Sequence, residues 1–277
     1  MKKLLVPVDF SEQAHDALDF AIELAPGLGA LIDIIHIADF PITADPMGVN
    51  IHAYFQADMI QQVEENIREK LRGFTVSVPS ELMGVREFEW GNPFAGISRY
   101  IIDKDPQMVI MGSKGATGIK GVFIGSVTEK IVRTARCPVI AVKGETHVAD
   151  IKNIVFGNDL KEGQEDLVAR VKQLQQIFNA TLHIVRVNTP DKFKPDRESL
   201  PLLKDFVAYY DIKNTTLNVY SDSYEDQGLI YFAEEINADM IALGTHGKRG
   251  LGHFISGSIA EDVVNHAKRP IWTYIIH

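Results

Sequence analysis

One glycine frame, written twice, constrains this chain more than any other feature. Residues 111–126 read "MGSKGATGIKGVFIGS", and residues 243–258 read "LGTHGKRGLGHFISGS". Gly112, Gly115, Gly125 and Ser126 thus return, in the same Gly-x2-Gly-x9-Gly-Ser spacing, as Gly244, Gly247, Gly257 and Ser258. Glycine in regular structure costs about 0.5–1 kcal/mol of conformational entropy relative to alanine. A chain that pays this twice at one spacing needs a tight turn, a close backbone approach or a ligand cradled by bare N–H groups. A repeat of this length also sets the organisation: the 277 residues divide into two copies of one unit.

The copies align beyond the glycines. "KLLVPVD" (3–9) and "NIVFGND" (153–159) are short apolar runs that end in an acid. Helical patterns follow each, 11–25 with Ala14, Leu18, Ala21 and Ile22 on one face, and 161–178 with Leu167, Val171, Leu174 and Ile177. "LIDIIHIA" and "TLHIVRV" are the second apolar runs. "PQMVIMG" and "ADMIALG" lead into the two glycine frames, and "CPVIAV" and "RPIWTYII" close the halves. Short β runs alternating with helical segments indicate βαβ units, a parallel sheet and helices on both faces. Near-continuous apolarity fits strands buried on both sides. Both "FTVSV" (74–78) and "VREFEW" (85–90) qualify as third strand of the first half, and the second is preferred because "GNP" follows it as a helix start. The first half carries 18 more residues between Asp9 and Gly112 than the second between Asp159 and Gly244, and 39–58 is the expected site of the surplus. The polar stretch 143–151 reads as a linker, giving domains at 1–143 and 151–277.

Composition removes several function classes. A net charge of −9 argues against a DNA- or RNA-binding protein. A single cysteine, Cys137, allows no intrachain disulfide, and no apolar run approaches the ~20 residues of a membrane span. Pro7 and Asp9 interrupt the N-terminal run too early for a signal peptide, so a reducing cytoplasm is expected. His246 and His253 lie in the second frame without a third ligand at a zinc-like spacing.

In an open parallel sheet, ligands sit beyond the carboxyl ends of the strands. Gly112 falls at such an end, and "GSVTEKIVRTA" then starts a helix whose free N–H groups suit a phosphate. Ser126 with Glu129, and Ser258 with Glu261, form a capping-box pattern. On loop and cap alone, a ligand-free turn ahead of an ordinary capped helix explains the pattern equally well. The spacing is neither a dinucleotide fingerprint nor a Walker P-loop.

With "VPVDFSE" (6–12), "GSVTEKIVRTARCPVIAV" (125–142) and "GSIAEDVVNHAKRPIW" (257–272), the chain resembles a tandem member of the universal stress protein family, of the ATP-binding type. The resemblance implies two open five-stranded parallel sheets, order 3-2-1-4-5, packed as an intrachain pseudo-dimer, with a homodimer as a further assembly. It also implies an adenine nucleotide (ATP, ADP or AMP), with Mg²⁺ or Mn²⁺ on its phosphates. Asp9 and Ser11 would lie near the adenosine, and the backbone at Ile37 and Ala38 would meet the base. Gly112, Gly115, Gly125, Ser126, Val127 and Thr128 would hold ribose and phosphates. Asp159, Gly244, Gly247, Gly257 and Ser258 repeat part of that set. The second half departs where Lys161 replaces Ser11 and Ala260 replaces Thr128, and a weak or empty second site is the expectation. No catalytic residue is assigned: nothing resembles an arginine finger or an activated-water assembly, so hydrolysis should be slow at most. A ligand-free interaction scaffold is the competing function.

Overall fold

The computed structural model describes residues 2–39, 57–113, 125–246 and 257–276. The first half runs β1 (Lys2–Pro7), α1 (Glu12–Leu28), β2 (Ala30–Ala38), α2 (Ala57–Phe74), β3 (Met83–Trp90), α3 (Pro93–Lys104), β4 (Met108–Gly112), α4 (Ser126–Thr134) and β5 (Val139–Val142). The second half repeats it: β6 (Asn153–Gly157), α5 (Glu165–Phe178), β7 (Thr181–Asn188), α6 (Asp196–Tyr209), β8 (Thr215–Ser221), α7 (Glu225–Glu235), β9 (Met240–His246), α8 (Gly257–His266) and β10 (Ile271–Ile276). The preferred third strand, at 85–90, lies within β3.

The strands follow β3-β2-β1-β4-β5-β10-β9-β6-β7-β8. Each half therefore has the 3-2-1-4-5 order, with every pairing inside a half parallel. The closing strands solve each other's edge problem. Unpaired strands at a sheet edge invite association, and β5 and β10 pair antiparallel, with Trp272 opposite Ile140. The result is a single ten-stranded sheet built from two parallel halves. Trp272 is fully buried at the seam. Above it, Arg133 of α4 reaches Glu261 of α8 at 3.1 Å, and the Lys143 ammonium donates to the Val264 carbonyl at 2.6 Å.

Burial explains the apolar runs. Leu4–Val6, Ile34, Val109 and Ile110 of the first half, and Ile154–Phe156, Ile184 and Ile241 of the second, are within the core. One core is packed by α1, α2, α5 and α6, and the other by α3, α4, α7 and α8. Asp33 is the exception, a fully buried acid in β2. Its carboxylate accepts from the Lys3 ammonium at 2.7 Å, the Tyr100 hydroxyl at 2.9 Å and the Val85 amide at 2.8 Å. Much of the first half's surplus lies where expected: 18 residues separate β2 from α2, against seven between β7 and α6. Most of that excursion, residues 40–56, falls outside the described residues.

Candidate functional site

The carboxyl ends of β1, β2 and β4, and of β6, β7 and β9, point the same way within each half, and the sequence-predicted residues collect there. After β1 the Val8 amide donates to the Ile35 carbonyl at 2.9 Å, and after β6 the Asn158 amide donates to Val185 at 3.3 Å. Both halves then place a bulky non-glycine residue in left-handed backbone, Phe10 at φ 65° and Leu160 at φ 59°. Such geometry is uncommon outside glycine, asparagine and aspartate. Its repetition shows that the turn is held by what surrounds it, and no residue type signalled it in advance.

In the first half the Ser11 hydroxyl donates to Asp9 Oδ1 at 2.5 Å and accepts from the Ala14 amide at 3.2 Å as the N-cap of α1. The Ser11 amide reaches the same Asp9 oxygen at 3.1 Å. Ile37 is buried, and Ala38 is half-buried with its carbonyl taken by the Gly91 amide at 2.9 Å. Beside them His36 sits between Phe10 and Phe88, at ring separations of 4.3 and 5.7 Å. Burial pushes its pKa below the ordinary histidine value. The neutral ring donates from Nδ1 to the Val8 carbonyl at 2.7 Å, tying β2 to the turn after β1.

Gly112 and Gly244 have a packing reason for being glycine. A Cβ on Gly112 would lie 2.5 Å from the Gln13 carbonyl oxygen, inside the first turn of α1. One on Gly244 would collide with the Leu167 side chain of α5. Gly115 and Gly247 lie outside the described residues.

The capping pattern does not form as the sequence suggested. Gly125, not Ser126, is the N-cap of α4, with extended backbone at φ −64°, ψ 139° and no side-chain cap. Ser126 is the first helical residue and is exposed, Val127 is half-buried, and Glu129 pairs with Arg133 at 3.6 Å instead of reaching back. In the second half α8 already includes Gly257, so Ser258 does not precede that helix either. The reason is local: an extended glycine ahead of serine takes the half-in position itself. It leaves first-turn N–H groups that no N-cap side chain satisfies.

Thr128 anchors its helix to the strand end. It is buried, and its hydroxyl donates to the Gly112 carbonyl at 2.9 Å, fastening α4 to the end of β4.

The second half opens a crevice of about 600 Å³ beyond β6, β7 and β9. Val185, Val187, Leu229, Leu243 and Ile259 give it apolar walls, and Gly244 and Ala260 open room beside α8. The rim is charged. Lys161, its side chain more than half exposed, pairs with Asp159 at 2.7 Å. Burial works against the Asp159 carboxylate, but the Lys161 ammonium and hydrogen bonds from Lys161 and Gln164 outweigh it and hold its pKa below the usual range. Opposite, Lys192 pairs with Glu225 at 2.7 Å.

The loop between β7 and α6 shapes this rim, and sequence reasoning passed over it. Asn188 fixes it, donating to the Lys194 carbonyl at 2.7 Å and accepting from the Lys194 amide at 3.4 Å. The Thr189 hydroxyl donates to Asp191 at 2.6 Å. Together they carry Phe193 and Lys194 to the cavity. The signal was present in "NTPDKFKPD", a turn-forming stretch with an aromatic among lysines.

Two parallel, doubly wound units joined edge to edge define a tandem α/β protein. The family model described as "Universal stress protein family" matches residues 1–143 and 150–274, and the chain belongs to that family. A universal stress protein of Mycolicibacterium smegmatis is 22% identical over 97% of this chain and 95% of its own length. Universal stress protein MJ0531 of Methanocaldococcus jannaschii is 30% identical over 51% of this chain and 82% of its own length. Among solved structures, a universal stress protein from Archaeoglobus fulgidus superposes with a TM-score of 0.73 at 19% identity, covering 99% of this chain and 98% of that one.

Proposed function

We propose that the protein is an ATP-binding regulatory stress protein, with domains at 1–143 and 151–277 that each present a nucleotide crevice at their strand ends. The observation that carries this reading is the start of α4. A side-chain-free N-cap, Gly125, stands at the carboxyl end of the sheet, where first-turn amides and the helix dipole suit a phosphate. Ser126, exposed at the first helical position, adds a hydroxyl, and Gly115 of the glycine frame would leave room for a phosphate. Asp9 stands at the adenosine side. Mg²⁺ or Mn²⁺ would ride on the phosphates, since among the described residues no three His, Cys, Asp or Glu side chains converge on a metal position. Bound nucleotide would act by altering association with a partner, in the cytoplasm.

Calorimetric titration of ATP into the full-length protein tests this. Wild type is expected to bind, and Gly115→Val to lose the first-half contribution while keeping the circular dichroism of wild type. Binding by Gly115→Val indistinguishable from wild type would make the first loop purely structural and would favour the interaction-scaffold reading.

A further inference from the structure

The ten-stranded sheet ends in β3 on one side and β8 on the other, and the two edges differ in kind. β3 carries Arg86, Glu87 and Glu89, and its register against β2 shifts between Ile32 and Ile34. Charge and irregular register keep an edge strand from pairing with another chain. β8, "TTLNVYS", holds no charged residue, and it pairs with β7 in unbroken register from Thr215 to Ser221.

The backbone groups that β8 leaves open follow from parity. The Asn214 carbonyl accepts from the Leu182 amide at 3.0 Å, and the Asp222 amide donates to the Asn188 carbonyl at 3.1 Å. Both anchors are even-numbered, and the unbroken register carries the alternation between them. Even residues of β8 therefore spend their backbone groups on β7. Thr215, Leu217, Val219 and Ser221 turn theirs away from the sheet. Exposed aromatics rim the same edge. Tyr224, the N-cap of α7, and Tyr231 within that helix are 62% and 49% exposed. Tyr231 and Glu235 stand beside Tyr220 of β8. Tyrosine is enriched where protein surfaces meet.

We propose that β8 is the contact through which two copies of this chain associate, antiparallel about a twofold axis at Asn218. This register sets Thr215 opposite Ser221 and Leu217 opposite Val219, so all four outward residues exchange backbone bonds with the second copy. The Leu217 and Val219 side chains, packed at the margin of the core, continue it across the axis. Exposed Lys213, just before the strand, arrives beside Asp222, just after the strand of the other copy, and symmetry makes that contact twice. This charge match favours a second copy over an unrelated extended strand. The join repeats what the chain does internally, where β5 and β10 meet antiparallel. Nucleotide plays no part in it.

Sedimentation velocity of the full chain from micromolar to millimolar concentration tests this, and wild type is expected as a concentration-dependent dimer. Val219→Pro removes an outward N–H that β7 does not use. Ser221→Lys, at an exposed position, sets a second cation against Lys213 of the other copy. Each should weaken the dimer by about tenfold or more, since symmetry counts every loss twice. Unchanged thermal melting of Ser221→Lys separates lost association from lost folding. The Asn218 pair on the axis is non-hydrogen-bonded, with Cα atoms about 4.5 Å apart, within disulfide reach. Cys137, the single cysteine, is buried, so an introduced thiol reports alone. Asn218→Cys should oxidise to a covalent dimer, and Tyr209→Cys, exposed on α6, should not. A wild type that stays monomeric at millimolar concentration overturns the proposal. So does a dimer untouched by both edge variants, or one that Asn218→Cys does not cross-link. A monomer whose β8 edge takes up an unrelated extended peptide also overturns it, and assigns the edge to a foreign strand.

Discussion

Replacing Gly112 with alanine measures whether the glycine frame is demanded by packing before any ligand arrives. The added Cβ would stand 2.5 Å from the Gln13 carbonyl oxygen, 2.7 Å from its carbonyl carbon and 2.9 Å from its Cβ. Two of the three are backbone atoms of α1, so relief requires the helix start, and with it Ser11 and Asp9, to shift. Overpacking of this kind costs about 1–3 kcal/mol. Reduced freedom of the unfolded chain returns about 0.4–1 kcal/mol where the new residue fits its backbone. Net destabilisation of about 1–2 kcal/mol follows. Gly27 is the matched control: it lies inside α1, nothing stands within 4 Å of its Cβ position, and its alanine variant should gain about 0.5–1 kcal/mol. Urea denaturation of the two variants beside wild type should move the midpoints in opposite directions. A Gly112→Ala protein as stable as Gly27→Ala would refute the close approach of β4 to α1. Lost ligand binding in a Gly112 variant therefore reports on α1 as much as on phosphate contact.

Asp33→Ala strands the Tyr100 hydroxyl, the Val85 amide and the Lys3 charge, and should cost about 3–5 kcal/mol in the same denaturation assay. Ala260→Thr should not strengthen nucleotide binding in calorimetry, because a threonine placed like Thr128 would spend its hydroxyl on the Gly244 carbonyl and fill cavity volume. His147 accounts for a pH dependence at the linker: its hydrogen bond to Glu23 raises its pKa, so the docked arrangement is favoured below the unfolded value and lost as pH rises through the folded one. The protection factor of the Val148 amide, which donates to the same Glu23 at 2.7 Å, should fall across that rise in wild type, beyond the intrinsic pH dependence of exchange, and stay level in Glu23→Gln.

The strands were legible because parallel strands buried on both faces are near-continuously apolar, as "LLV" and "MVIM" are, whereas their order came from the family resemblance. The choice of 85–90 as third strand came from the helix start behind it, and β3 runs straight to Asn92, the N-cap of α3. The helix caps were misread because "GS" before a helix has two registers, and only backbone geometry decides that glycine takes the N-cap. Thr128 was assigned to ribose and phosphates by the family resemblance alone, and its bond to the Gly112 carbonyl across 16 residues left no mark in the sequence. The rim at Phe193 and Lys194 depends on Asn188 gripping both backbone groups of residue 194, a tertiary arrangement that composition does not encode.

The central claim, that adenine nucleotide occupies the strand-end crevices, is tested most directly by mass spectrometry of the intact purified protein and of its heat-released small molecules. The account predicts ATP, ADP or AMP in the released fraction and a matching mass added to the native protein, restored by incubation with ATP after stripping. A native protein that carries no nucleotide as purified and gains none at millimolar ATP would contradict it.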